Sequence, residues 1–140
     1  MRTLRDVEAY LGRLSRRFSA VEGQEGTFLI HSSDRMPPIA LRVDPPLVVF
    51  RVHIGDAPNA DHLPLYRKLL ELNARALVHS SFGLEAGQGQ GQGREREQIV
   101  LCSALELENL DFNELEATLD ELDMTLVQQV PVLSELSKTP

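Results

Sequence analysis

A chain of 140 residues, 42% hydrophobic and carrying a net charge of −7, is long enough to bury a sizeable core without disulfides or metals. Its one cysteine, Cys102, excludes an internal disulfide and agrees with a reducing compartment. No apolar run approaches the roughly 20 residues of a membrane span, and the charges within MRTLRDVEAYLGRLSRRF argue against a signal peptide, so a cytoplasmic protein without membrane insertion is expected.

Residues 4–18 have helical periodicity. Leu4, Val7, Leu11, Leu14 and Phe18 recur at spacings of three and four, and Thr3 with Asp6 forms a capping-box start. Five arginines lie in the first 17 residues and read as a solvated helix face that can also meet an anion. A glycine-flanked turn at Gly23–Gly26 leads to a strand near 27–32, with Phe28 and Ile30 on one face. Ile39, Leu41 and Val43 alternate with Ala40, Arg42 and Asp44 in a second strand, which Pro45 and Pro46 stop by removing ladder donors. In the third, LVVFRVHIG, Val48, Phe50, Val52 and Ile54 point one way and Val49, Arg51 and His53 the other. The succession predicts an antiparallel meander.

A helix follows over LPLYRKLLELNARAL, with Asn59 or Asp61 as its cap and Pro64 in its first turn. Leu63, Tyr66, Leu70, Asn73 and Leu77 form one stripe, widened by Leu69 and Ala76, while Leu65 and Leu72 extend the apolar character to another side. Such a helix needs a second surface to cover it, from its own core or from another chain. HSSFGLEAG and REREQIVLCSALEL read as two more strands. The latter is apolar on both faces, as suits a central strand. Between them GQGQGQG fails both the dinucleotide fingerprint and the P-loop, and reads as an expanded, flexible hairpin loop over 87–97. Asp111 and Glu114 open the last helix, whose stripe is Leu115, Leu119, Leu122 and Leu126. Pro131 is expected to break or kink it, leaving 131–140 as a C-terminal tail. The order is α-β-β-β-α-β-β-α: one α+β domain over 1–140, an antiparallel sheet packed against helices.

No catalytic signature emerges. His31, His53, His62 and His79 lie in different elements without metal-ligand spacing, although His31 and His53 are candidate neighbours on adjacent strands. Cys102 sits among apolar neighbours as an inert cysteine does. The carboxylates Glu106, Glu108, Glu116 and Asp120 belong to a dense acidic run: no Lys or Arg lies between Arg96 and Lys138, where ten acids stand. That half is a poor nucleic-acid surface. No enzyme activity, cofactor or metal is expected. Protein binding needs only apolar surface on a stable sheet, and the non-core strand face (Leu29, Leu47, Val49) and the extra side of the second helix can supply it.

LYRKLLELNARAL, HSSFGLE, QIVLCSALELENLD and FNELEATLDELDMTL together resemble the Tir-chaperone (CesT) family, the class I chaperones of type III secretion, and the related YbjN-like domains. In that family a leucine-rich second helix ending in Asn precedes a short strand with a Gly, then a longer strand and a final helix with an acidic cap. The resemblance implies an acidic cytoplasmic homodimer that holds a non-globular segment of a partner protein. It places Tyr66, Leu69, Leu70, Asn73 and Leu77 at the dimer interface, and the client on the first helix and strands 27–32 and 39–54. The alternative it allows is a YbjN-like regulatory adaptor that binds a folded signalling partner.

Overall fold

The computed structural model describes residues 2–58, 62–86 and 97–138. The elements are α1 (Leu4–Arg13), β1 (Arg17–Ala20), β2 (Thr27–His31), β3 (Ile39–Asp44), β4 (Leu47–Asp56), α2 (Leu63–Arg75), β5 (Ser80–Ala86), β6 (Glu97–Glu106) and α3 (Phe112–Lys138). The six strands form one antiparallel sheet in the order β1-β2-β3-β4-β6-β5. The expected α+β architecture is present, with one strand more than the sequence suggested.

That strand comes from the end of the first predicted helix. The helix stops at Arg13, and Leu14 is already extended, at φ −74° and ψ 152°. Leu14 and Phe18 keep helical spacing but lie in extended chain: Leu14 is buried in the core, while Phe18 stays exposed with its ring centre 6.3 Å from that of Phe28. Pairing of Arg17–Ala20 with Phe28–His31 replaces the helical hydrogen bonds. Gly23 and Gly26 take φ of 80° and 81° in the turn between β1 and β2, a backbone region open to glycine. At the helix start, Thr3 N–H donates to the Asp6 carboxylate at 2.7 Å, as the capping-box spacing predicts.

The three helices cover one face of the sheet. Phe28, Ile30, Ile39, Leu41, Val48, Phe50, Val52 and Leu101 project into a single core with Val7 and Leu11 of α1, Leu65, Leu69 and Leu72 of α2, and Leu115, Leu119, Leu122, Leu126 and Leu133 of α3. The alternation read for β3 and β4 is observed residue by residue. The other sheet face is open, yet Val100 on it is only 3% exposed. Arg51 and His53 on β4 both reach Glu85 on β5, at 3.1 Å each, across the intervening β6 that carries Val100. Val100 pairs with His53 on one side and Gly83 on the other, directly between these two strands. His31 and His53 are not on adjacent strands, because β3 separates β2 from β4.

Helix starts follow local chemistry with one correction. Asp111 Oδ1 accepts Glu114 N–H at 2.7 Å, as expected. For α2 the cap is His62, whose Nδ1 accepts Leu65 N–H at 3.2 Å. Asn59 and Asp61 lie outside the described residues, as does the connection 87–96 between the paired strands β5 and β6. Pro131 does not end α3, which continues to Lys138. Proline in a helix costs about 3 kcal/mol. Here Pro131 is exposed, so water can solvate the carbonyl it leaves without a donor, and burial of Leu133 and half-burial of Leu136 hold the last turns to the core.

Candidate partner-binding surfaces

Arg2, Arg5, Arg13 and Arg17 are exposed, as a solvated face requires, whereas Arg16 is half-buried. Arg2 Nε donates to Leu110 O at 2.9 Å, and the Arg13 guanidinium lies 4.1 Å from the Phe112 ring centre. Arg16 donates to Asp120 Oδ1 at 2.6 Å and to Asp123 Oδ2 at 2.5 and 3.1 Å. Asp123 also accepts from the Ser32 hydroxyl at 2.6 Å, so one cluster ties the α1–β1 junction, β2 and α3 together. Burial opposes the Arg16 charge, but the two carboxylates outweigh it and hold its pKa above the ordinary value.

The two edges of the sheet differ. β5 is one edge, and the Asn73 side chain of α2 occupies its outer main chain: Phe82 N–H donates to Asn73 Oδ1 at 2.7 Å, and Asn73 Nδ2 donates to Phe82 O at 3.0 Å. A strand arriving there finds that residue's donor and acceptor already used. β1 is the other edge, and all four of its residues are exposed. Val21 N–H bonds Thr27 O at 2.9 Å, so by antiparallel alternation the main-chain groups of Phe18 and Ala20 point away from β2. A groove of about 460 Å³ begins at Ala20, at the end of this edge, and adjoins a second of about 420 Å³ that shares Leu4, Glu25 and Gly26 with it but touches no β1 residue. Arg2, Val43, Pro45 and Leu107 line one; Ala20, Val21 and Phe28 line the other.

The residues expected at a dimer interface separate into two groups. Leu69 is 5% exposed and belongs to the chain's own core, whereas Leu70 is 69% exposed. Tyr66 and Leu77 are half-buried against the core, and Asn73 is engaged with β5. Leu63, Val78 and Leu84 are also exposed, on or next to α2 and on β5. The stripe taken as principal in α2 is therefore the outer one, and Leu65, Leu69 and Leu72 form the inner one.

Leu29, Leu47 and Val49 all lie on the open sheet face. Leu47 and Val49 are next-but-one on β4; Leu29 is two strands away, paired with Ala40, and Arg42 lies opposite Val49 on the strand between. They form two small apolar spots in a polar surround rather than one patch. The exposed β1 edge was missed, because four exposed residues carry no hydrophobic alternation. The available signal was their position before a glycine-bounded turn and a strand. Among the described residues, no three His, Cys, Asp or Glu side chains are gathered as a metal site requires, and no helix is long and apolar enough to cross a membrane.

A sheet with three helices on one face and an open opposite face is the fold of the type III secretion chaperones. The family model CesT_Tir_1 matches residues 1–139, and the chain belongs to this Tir-chaperone (CesT) family. No curated protein matches the sequence. Among solved structures, YbjN from E. coli, a proposed transcription regulator, is similar with a TM-score of 0.66 at 15% identity, covering 85% of this chain and 82% of its own. The heterodimeric ExoU-SpcU complex from the type III secretion system of Pseudomonas aeruginosa contains a chain similar with a TM-score of 0.62 at 18% identity, covering 89% of this chain and 95% of its own. At these identities the likeness establishes the fold.

Proposed function

We propose that this chain is a non-catalytic, homodimeric module that holds a non-globular segment of a partner protein in the cytoplasm. The observation that carries this reading is the inequality of the sheet edges. Asn73 occupies the β5 edge at Phe82, while β1 presents the main chain of Phe18 and Ala20, with a groove that begins at Ala20. An extended segment can add to that edge through its backbone and place a side chain in the groove at Ala20. This recognition asks little of the partner's sequence. Membership of a chaperone family supports it, as does the appearance of the same fold in a heterodimeric complex.

The homodimer rests on the outer stripe of α2. Leu63 and Leu70, flanked by Tyr66 and Leu77, continue towards Val78 and Leu84 and give a second copy an apolar surface. Light scattering coupled to size exclusion should report a dimer, and Leu70→Glu should dissociate it by leaving an unpaired charge in the interface. A strict monomer at high concentration would remove this part of the proposal.

The strand-addition part is tested separately with Ala20→Pro. This change removes an outward N–H and leaves the pairing groups of Ser19 and Arg17 in place. Partner capture from native cells should fall with Ala20→Pro and persist with Val49→Asp. The fold shared with YbjN favours a second reading, a regulatory adaptor that binds a folded signalling partner through the open sheet face. That reading expects the reverse: binding lost in Val49→Asp and kept in Ala20→Pro.

A further inference from the structure

The β1 edge offers its main chain to any extended segment, but the side chains around it discriminate. Phe18 and Ala20 stand opposite Ile30 and Phe28, so their side chains lie on the helix-covered face of the sheet, while those of Arg17 and Ser19 lie on the open face. A segment hydrogen-bonded to the outward groups of Phe18 and Ala20 sets the two residues directly opposite them on that same covered face. The residue opposite Phe18 meets a ring that is 39% exposed. The residue opposite Ala20 enters the groove that begins there.

That groove suits a long cationic side chain. Leu4, Val21 and Phe28 give it apolar walls, and Glu8 of α1 and Glu25 of the β1–β2 turn give it two carboxylates. Both glutamates are exposed, and neither has an ion pair or hydrogen bond among the described residues. No Lys or Arg is among the lining residues. Arg2, in the adjoining groove, donates to Leu110 O, and Arg5, three residues before Glu8 on α1, does not pair with it. A Lys or Arg from the segment lays its methylenes along the apolar walls and keeps its charge at the rim. A carboxylate there is repelled, and an apolar side chain leaves both glutamates unanswered. A second copy of β1, pairing antiparallel about Ser19, offers Phe18 rather than a cation at Ala20 and brings two sets of carboxylates to one edge.

Resting on the strand-addition reading above, we propose that the partner segment held at β1 carries a Lys or Arg two residues before an apolar residue, with the cation at Ala20 over Glu8 and Glu25 and the apolar residue beside Phe18. The order follows from antiparallel pairing, which every neighbouring pair of strands in this sheet already uses. The backbone supplies most of the attraction. The cation sets the register, because a slip of one residue turns it to the open face.

The test titrates the full chain, by anisotropy, into a short fluorescent peptide of alternating Val and Thr in which one central Val is replaced by Lys. Companion peptides carry Leu or Glu in place of the Lys, or exchange the Lys with the next Thr, which keeps the composition and turns the Lys to the opposite face. The Lys peptide should bind about three- to fivefold tighter than the Leu peptide, the scale of an exposed ion pair, and tighter than the exchanged peptide. Glu8→Gln/Glu25→Gln should erase that preference and leave affinity for the Leu peptide unchanged, and Glu25→Lys should turn the preference towards the Glu peptide. Ala20→Pro should weaken binding of every peptide. No binding by the wild type, or binding indifferent to Ala20→Pro, overturns strand addition and this proposal with it. Binding that Ala20→Pro abolishes, but with equal affinity for the Lys and Leu peptides or a preference that survives Glu8→Gln/Glu25→Gln, overturns the cation site alone.

Discussion

Asn73 joins the middle helix to the edge of the sheet, and Asn73→Ala tests how much that junction supplies. The change removes two hydrogen bonds, at 2.7 and 3.0 Å, and leaves Phe82 N–H and C=O at an edge with no other protein partner shown. Each such bond contributes about 0.5–1.5 kcal/mol net, so the loss is roughly 1–3 kcal/mol. Alanine regains up to about 0.7 kcal/mol in helix propensity. A net cost of about 1.5 kcal/mol remains. With an unfolding entropy of about 2.1 cal/mol/K per residue, a chain of this length should lose roughly 5 °C in melting temperature at fixed protein concentration. Hydrogen exchange should locate the effect, with the Phe82 amide losing protection while the β6 ladder keeps its own. Asn73→Asp should restore acceptance from Phe82 N–H but set a carboxylate against Phe82 O, giving an intermediate or larger loss. Unchanged Phe82 exchange with a melting shift under about 1 °C would refute the edge-closing role. If the dimer weakened while Phe82 protection stayed unchanged, Asn73 would belong to an interface instead.

Three further outcomes follow from the same geometry. Leu69→Ala should cost about 2–4 kcal/mol in chemical denaturation, because Leu69 lies in the core, whereas Leu70→Ala should change monomer stability by less than about 0.5 kcal/mol. Arg16→Met should cost roughly 2 kcal/mol and speed hydrogen exchange across β1, since it leaves Asp120 and Asp123 without the guanidinium that ties the α1–β1 junction to α3. The Thr3 N–H lowers the Asp6 pKa below its ordinary 3.8, so the carboxylate stabilises the fold above that value and ceases to do so as pH falls through the lowered one. The stability difference between wild type and Asp6→Asn, followed by thermal unfolding from pH 5 to 2, should therefore shrink on acidification; a constant difference would show that the ionised cap contributes nothing.

Local chemistry made much of this protein legible from its residues. Period-two alternation set the inner and outer faces of β3 and β4, because successive side chains of a strand must point to opposite sides. Thr3 with Asp6 and Asp111 with Glu114 marked two helix starts, since the chain within three residues supplies both donor and acceptor. The leucine spacing of α3 marked its buried stripe for the same local reason. Leu29, Leu47 and Val49 were assigned to the face they occupy.

Other features depended on partners distant in sequence. Helix α2 carries two apolar stripes, and periodicity cannot choose between them; the position of β5, β6 and α3 turns Leu65, Leu69 and Leu72 inward and leaves Leu70 outside. The end of α1 at Arg13 was hidden because Leu14 and Phe18 keep helical spacing, while the strand that captures the segment is β2. Pro131 signals a break by local rules, yet α3 continues because Leu133 and Leu136 pack on the core beyond it. Asn73 reads locally as one polar residue in a leucine helix; only the approach of β5 gives it both halves of a peptide group to hold. The sequence by itself located the three helices and strands β2 to β6, and settled which face β3 and β4 hide. Tertiary structure decided which edge stays open and which helix face stays bare, because both depend on what lies beside an element, and a local pattern does not contain its neighbours.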